Sequence, residues 1–214
     1  MSRFSENFRA GKISRKRAHT IAHWLSQNVG HRSDERDVQF VADDAAALLG
    51  WEEFLRKHEQ PDGLSLVRSA DLDLNVVGLA QSSQRQASVK LKLGEQFFLR
   101  LVCDNIGAAL GFQETRGSWY PLPLSDAGGT LDLSAGSHIL PRTDDGALLP
   151  LSEDADPGRC RFVIVVGSAD DLLRSLAKRE IGLPLSSSYL LLLSDVLGKV
   201  QQVGSYTLNV VFEV

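Results

Sequence analysis

Residues 89–101 read VKLKLGEQFFLRL, and their period decides the fold. Val89, Leu91 and Leu93 alternate with Lys90 and Lys92; Phe97, Leu99 and Leu101 follow, with Arg100 between the last two. An apolar side chain at every second position makes a strand with one buried face, and Gly94-Glu95 between the runs is turn chemistry. The same period appears upstream, where Leu72, Leu74 and Val76 alternate with Asp71, Asp73 and Asn75. Downstream, residues 108–114, 119–122, 162–166, 189–193 and 206–214 are strand candidates. The connections carry Asp126-Ala127-Gly128-Gly129, Asp144-Asp145-Gly146 and Asp156-Pro157-Gly158. About eight short strands joined by Gly-, Asp- and Pro-rich turns predict an antiparallel β-sandwich rather than a parallel sheet. One helix is expected to interrupt them at residues 169–178, with Leu172, Leu173 and Leu176 inward and Ser168 as its N-cap. Residues 80–87 form a polar loop.

Before Gly63 the period is helical. Between residues 14 and 29, Ala18, Ile21, Ala22, Leu25 and Val29 fall on one face, with Arg15, Lys16, Arg17, His19 and His23 mostly off it. A second helix is expected over 34–49, with Val38, Val41, Ala42, Ala45, Leu48 and Leu49 as its stripe. Asp34, Glu35 and Asp37 sit in its first turn, where the helix dipole favours carboxylates. Gly50 reads as its stop, and Trp51, Phe54 and Leu55 as a further short turn before Pro61-Asp62-Gly63. A shorter helix over 3–9 precedes them and is broken by Gly11. The fold class that follows is α+β: a small helical head at 1–62, basic and then acidic, and a β-sandwich recognition domain with one interrupting helix at 63–214.

Charge divides along the same line. Residues 1–32 hold seven Lys or Arg against Glu6 alone, a balance of +6. The whole chain carries 23 basic and 27 acidic side chains, net −4, so residues 33–214 hold −10. A basic head on an acidic body meets a polyanion, an acidic partner or its own body. Apolar content of 43% and charged content of 23% are those of an ordinary globular chain. No apolar run approaches the roughly 18–20 residues of a membrane span, and the start lacks the apolar stretch of a secretory signal. A cytoplasmic protein is therefore expected, in which Cys103 and Cys160 are buried free thiols.

The order of the turns in the second half is also informative. Leu91-Lys92-Leu93-Gly94-Glu95 leads into an apolar strand, and Asp104-Asn105-Ile106-Gly107 leads into the next. Gly117-Ser118-Trp119-Tyr120-Pro121-Leu122-Pro123 follows, then a segment from Leu131 to Pro141 with Ala135-Gly136 at its middle. Asp156-Pro157-Gly158-Arg159-Cys160-Arg161-Phe162 closes the series. Over residues 72–214 this resembles the bacterial domain-of-unknown-function family numbered 4384. The resemblance implies a β-sandwich accessory domain, often attached to signalling or protease-like modules, and implies no catalytic residues. The sequence departs from the family at Ala108, where an aromatic usually follows the glycine of the second strand.

In the first half, Phe8-Arg9-Ala10-Gly11-Lys12-Ile13-Ser14, followed by Ala18, Ile21-Ala22 and Trp24-Leu25, resembles part of a repressor-type helix-turn-helix domain. That resemblance implies a recognition helix over 2–9, with Arg3, Ser5, Asn7 and Arg9 available to a groove and its phosphates. The two bracing helices of that motif have no counterpart before Met1, so an intact motif is not expected. Non-specific phosphate binding needs no brace. Arg3, Arg9, Lys12, Arg15, Lys16 and Arg17 are thus candidate partner- or polyanion-binding residues. Docking on Asp34, Glu35, Asp37, Asp43 and Asp44 of the neighbouring helix, and plain solvation, stay open as alternatives.

Motifs of chemistry are sparse. His19 and His23 share a helix face, but Thr20-Ile21-Ala22 between them lacks the glutamate of the His-Glu-x-x-His zinc pattern. Val165-Val166-Gly167-Ser168 leads into a helix start but lacks the glycines and lysine of a phosphate loop, and Asp170-Asp171 would repel an anion. No Gly-x-Ser-x-Gly elbow and no EF-hand spacing occur. No catalytic residue, metal site or cofactor is expected. Trp119 and Tyr120 are candidate aromatic anchors if exposed at a sheet edge, although alternation puts one of the two in the core. The expected function is a non-enzymatic bacterial adaptor with a protein partner, a sandwich recognition module and a helical docking head. The alternative is a nucleic-acid-binding transcriptional regulator acting through the basic helices.

Overall fold

Two strands that are apolar on both faces organise the structure. The computed structural model describes residues 36–73, 88–104, 106–126, 130–168, 182–200 and 202–214. Within it, β4 (Gly107–Thr115) and β8 (Gly158–Gly167) pair antiparallel, from Ala108 opposite Gly167 to Thr115 opposite Cys160. Both are buried along most of their length. That burial explains the unbroken run Phe162-Val163-Ile164-Val165-Val166: a central strand covered on both sides loses the alternation of a half-solvated one.

The strands form two sheets. The larger runs in the order β2 (Val89–Lys92), β9 (Gly204–Glu213), β8, β4, β5 (Ser118–Leu122), with β6 (Leu131–Leu133) also paired to β4. The smaller runs β1 (Leu64–Arg68), β3 (Phe97–Cys103), β7 (Gly136–Leu140). All pairings are antiparallel except β2 with β9. The sheets share one core, in which Phe97, Leu99, Leu101 and Leu140 from the smaller meet Ile164, Phe162, Val210 and Phe212 from the larger. The alternation at 97–101 thus places its apolar set inward. The molecule is a mixed α+β chain, mostly strand, in two sheets.

The other face of the larger sheet carries a second core. Leu110, Phe112, Trp119, Val163 and Val165 meet two helices there, α1 (Arg36–Lys57) and α3 (Ser187–Leu197). A one-turn helix, α2 (Ser69–Asp73), follows β1.

Four expectations change. Residues 189–193 are helix, not strand: Ser186 is extended and its hydroxyl accepts the Tyr189 N–H at 3.3 Å, an N-cap that starts α3. A run of leucines fits either period, so the cap and the outer face of the sheet decide it. Gly50 does not stop the second helix, which continues to Lys57. A mid-helix glycine costs about 1 kcal/mol, whereas burying Trp51, Phe54 and Leu55 on the sheet stabilises by about 1.5–3 kcal/mol each. Residues 71–73 belong to α2 rather than to a strand. Strand β1, at 64–68, was not anticipated because its sequence, LSLVR, follows a turn with too few alternations to read.

Residues 1–35 of the helical head lie outside the described residues, as do the expected polar loop at 80–87 and the interrupting helix at 169–178. The last turns of α1 are described, and they pack on the larger sheet with Ala47, Trp51, Phe54 and Leu55 buried. No helix among the described residues is long and apolar enough to cross a membrane.

Candidate interaction surface

The helical layer is where the described residues present the most to a partner. Its floor is aromatic: Trp51 lies against Phe54, Phe112 and Trp119 with ring centroids 5.5, 5.2 and 5.8 Å apart. The Trp51 indole N–H is buried and has no hydrogen-bond partner among the described residues. At the rim, Arg161 of β8 rises beside α1 and donates to both carboxylate oxygens of Glu52, Nη1 at 2.9 Å from Oε2 and Nη2 to Oε1. Its Nε lies 3.6 Å from Glu114 Oε2. The guanidinium sits 4.7 Å from the Trp119 ring centroid, a cation–π arrangement. A forked, always-charged group suits this role because one side chain ties a helix, a strand and an aromatic face. A backbone bond from Leu185 N–H to the Trp119 carbonyl, 2.8 Å, pins the entry of α3 to edge strand β5.

Above this floor exposed leucines stand among polar side chains such as Ser188 and Asp195. Helix α3 buries Tyr189, Leu190, Leu193 and Leu197 against the sheet, yet also presents Leu191 and Leu192, 43% and 47% exposed. Leu49 of α1 is 69% exposed, and its neighbour Gly50 approaches Leu191 so closely that a Cβ there would stand 3.5 Å from Leu191 Cδ1. The exposed Leu191 therefore lies against α1 at Gly50.

Of the residues singled out from sequence, Arg3, Arg9, Lys12, Arg15, Lys16 and Arg17 lie outside the described residues. Trp119 and Tyr120 do face opposite sides of β5, but both sides are covered: they are 2% and 7% exposed, so neither stands free as an anchor. The expectation that only one would be buried assumed a half-solvated sheet. Leu49 was expected in the apolar stripe of its helix but is exposed, and Leu191 and Leu192 were missed because the expected strand at 189–193 does not set them on one helical face. The signal that could have found them is Ser186-Ser187-Ser188, a capping cluster in front of the run.

Titratable groups elsewhere are few. Burial pushes the Cys103 thiol up, with Asp104 adding to the effect, so it is a thiol rather than a thiolate nucleophile at neutral pH. Burial likewise pushes the Tyr206 phenol up to about 12. The Asp145 carboxyl is held down by the Thr143 hydroxyl and the Ala147 N–H. His138 Nε2 meets the Ser134 carbonyl at 2.8 Å. Among the described residues, no group of three or more His, Cys, Asp or Glu is placed to hold a metal ion.

Fold and surface together define a two-sheet α+β chain with exposed leucines on its helical face. A scan against protein-family models finds no match for it, and neither curated proteins nor solved structures yield one.

Proposed function

We propose that the chain is a non-enzymatic adaptor: a β-sandwich recognition module, related to the bacterial family 4384, whose helical layer docks a protein partner. The observation that carries this reading is that α3 leaves Leu191 and Leu192 exposed beside Ser188 and Asp195 while burying Tyr189, Leu190, Leu193 and Leu197 on its other side. Large apolar side chains grouped on an exposed helix face, with polar neighbours beside them, mark a protein contact surface. The aromatic floor beneath α3 fixes the helix, so the two leucines are presented together. Cys103 and Cys160, buried and not joined by a disulfide, fit a reducing, cytoplasmic setting.

The test is a cross-linking capture in the source cell, comparing the wild-type chain with a Leu191→Glu/Leu192→Glu variant. A partner captured by the first and lost from the second supports the reading. Identical captures, with the variant folded, sink it.

A nucleic-acid-binding regulator is the second reading, supported by the +6 balance of residues 1–32. A gel-shift titration separates the two. Affinity falling steeply with log salt, and lost on neutralising Arg15, Lys16 and Arg17, favours nucleic acid; no shift at low salt removes it.

A further inference from the structure

Strand β2 stands at one edge of the larger sheet, where unpaired backbone groups would accept another strand. The Leu93 N–H donates to the Glu213 carbonyl at 2.9 Å, so positions 91 and 93 turn their backbone toward β9. Strand alternation then turns the N–H and C=O groups of Lys90 and Lys92 outward. Three of these four groups are already taken. The Lys90 carbonyl accepts from Arg68 Nη2 at 3.0 Å, and the Lys92 N–H donates to Glu95 Oε2 at 3.0 Å. The Lys92 carbonyl accepts the Glu95 N–H at 3.1 Å, across a turn in which Gly94 has φ +78. Arg68 and Glu95 also hold each other, Nε to Oε1 at 3.1 Å. Because Arg68 is the last residue of β1, the two sheets meet in this cluster.

We propose that Arg68 and Glu95 form a latch that closes the β2 edge against strand addition by a second copy of the chain. A partly exposed ion pair contributes little to stability, but here each partner also occupies a backbone group that an incoming strand would need. A strand arriving at β2 has to break both hydrogen bonds and the ion pair before it gains ladder bonds of its own. Lys90 and Lys92 add to the obstacle. Both are exposed, and an antiparallel second copy centred on Leu91 would set lysine opposite lysine. The far edge of the same sheet is closed by other means. There the Trp119 carbonyl accepts the Leu185 N–H, and Pro121, whose backbone faces the same way, has no N–H to offer. The inference concerns the sheet edge and stands whatever docks at α3.

The latch is tested on the full chain by analytical ultracentrifugation over a concentration series, at a salt concentration that screens the lysines. Arg68→Ala/Glu95→Ala is expected to self-associate at a concentration about tenfold or more below that of the wild type. Adding Lys90→Pro removes an outward N–H and no ladder bond, and is expected to reverse that association. In a second measurement, the Lys92 amide of Glu95→Ala is expected to exchange with deuterium about tenfold faster than in the wild type, because its acceptor is gone. The proposal is overturned if the opened variant sediments like the wild type, if Lys90→Pro leaves its association unchanged, or if the Lys92 amide keeps the wild-type exchange rate.

Discussion

Replacing Trp51 with alanine is expected to destabilise the two sheets and not merely the helix that carries it. Trp51 has 0% of its surface exposed and touches three other aromatic rings, one on its own helix and two on the larger sheet. Truncating a core Trp costs about 3–5 kcal/mol through lost transfer energy and the cavity left behind. One term opposes this. The buried indole N–H has no partner among the described residues, and removing an unsatisfied donor returns about 1–3 kcal/mol. The aromatic pairs, worth about 0.5–1.5 kcal/mol each beyond their area, put the truncation at the upper end of its range, so the net loss stays near 3 kcal/mol. With a urea m-value of about 3 kcal/mol/M for a chain of this size, the midpoint moves down by about 1 M. The assay is urea unfolding followed at once by near-ultraviolet circular dichroism, which reports the aromatic cluster, and by the far-ultraviolet strand signal. Both transitions are expected to shift together. If the strand transition keeps its midpoint while the aromatic signal is lost early, α1 is a separable appendage and the account of the second core is wrong.

Three further outcomes follow from the same structure. Leu193→Ala is expected to cost about 2–5 kcal/mol and Leu191→Glu to stay within about 0.5 kcal/mol, because α3 buries the first and exposes the second; equal costs at Leu190 and Leu192 would instead restore a strand at 189–193. Tyr206 has a phenol raised from 10.0 to about 12 in the folded state, so the folded protein holds that proton more tightly than the unfolded chain. Its contribution to stability is complete below pH 10 and is lost as pH rises towards about 12. Alkaline denaturation should therefore begin in that window, and Tyr206→Phe should flatten it; an unchanged profile argues against the assignment. Gly107→Ala is expected to cost about 3 kcal/mol or more in urea unfolding, since a Cβ there would stand 1.8 Å from the Gly167 carbonyl oxygen and strands β4 and β8 would have to part. Gly146→Ala, with φ +91 and open space around it, should cost only about 1–2 kcal/mol.

Much of the sheet architecture was legible before any coordinates. Period-two spacing at 97–101 fixes which side chains turn inward, and all three, Phe97, Leu99 and Leu101, are in the core. The run 162–166 reads as a strand from its branched and aromatic residues and its flanking turns, although nothing in it says what covers its second face. The surface was not legible. Leu191 and Leu192 become an exposed pair only if 189–193 is helical, and that depends on a sheet face elsewhere in the chain being apolar and open to a helix. Arg161 and Glu52 are 109 residues apart, and no local pattern announces a pair formed across that distance.

Local spacing, turn residues and charge order belong to the sequence alone, because each depends on neighbours a few positions apart. They determined that residues after 63 are mostly strand, that helical periodicity precedes them, and that the charge divides near the same point. Tertiary structure decided which faces of those elements are covered. The outer face of the larger sheet takes α1 and α3, so Trp119 is buried there while Tyr120 is buried on the opposite face, Gly50 is carried through a helix, and a leucine run becomes a helix with an open side. Burial is a sum over residues distant in the chain, and where it exceeds local preference by a few kcal/mol, as at Trp51, Phe54 and Leu55, the local reading yields.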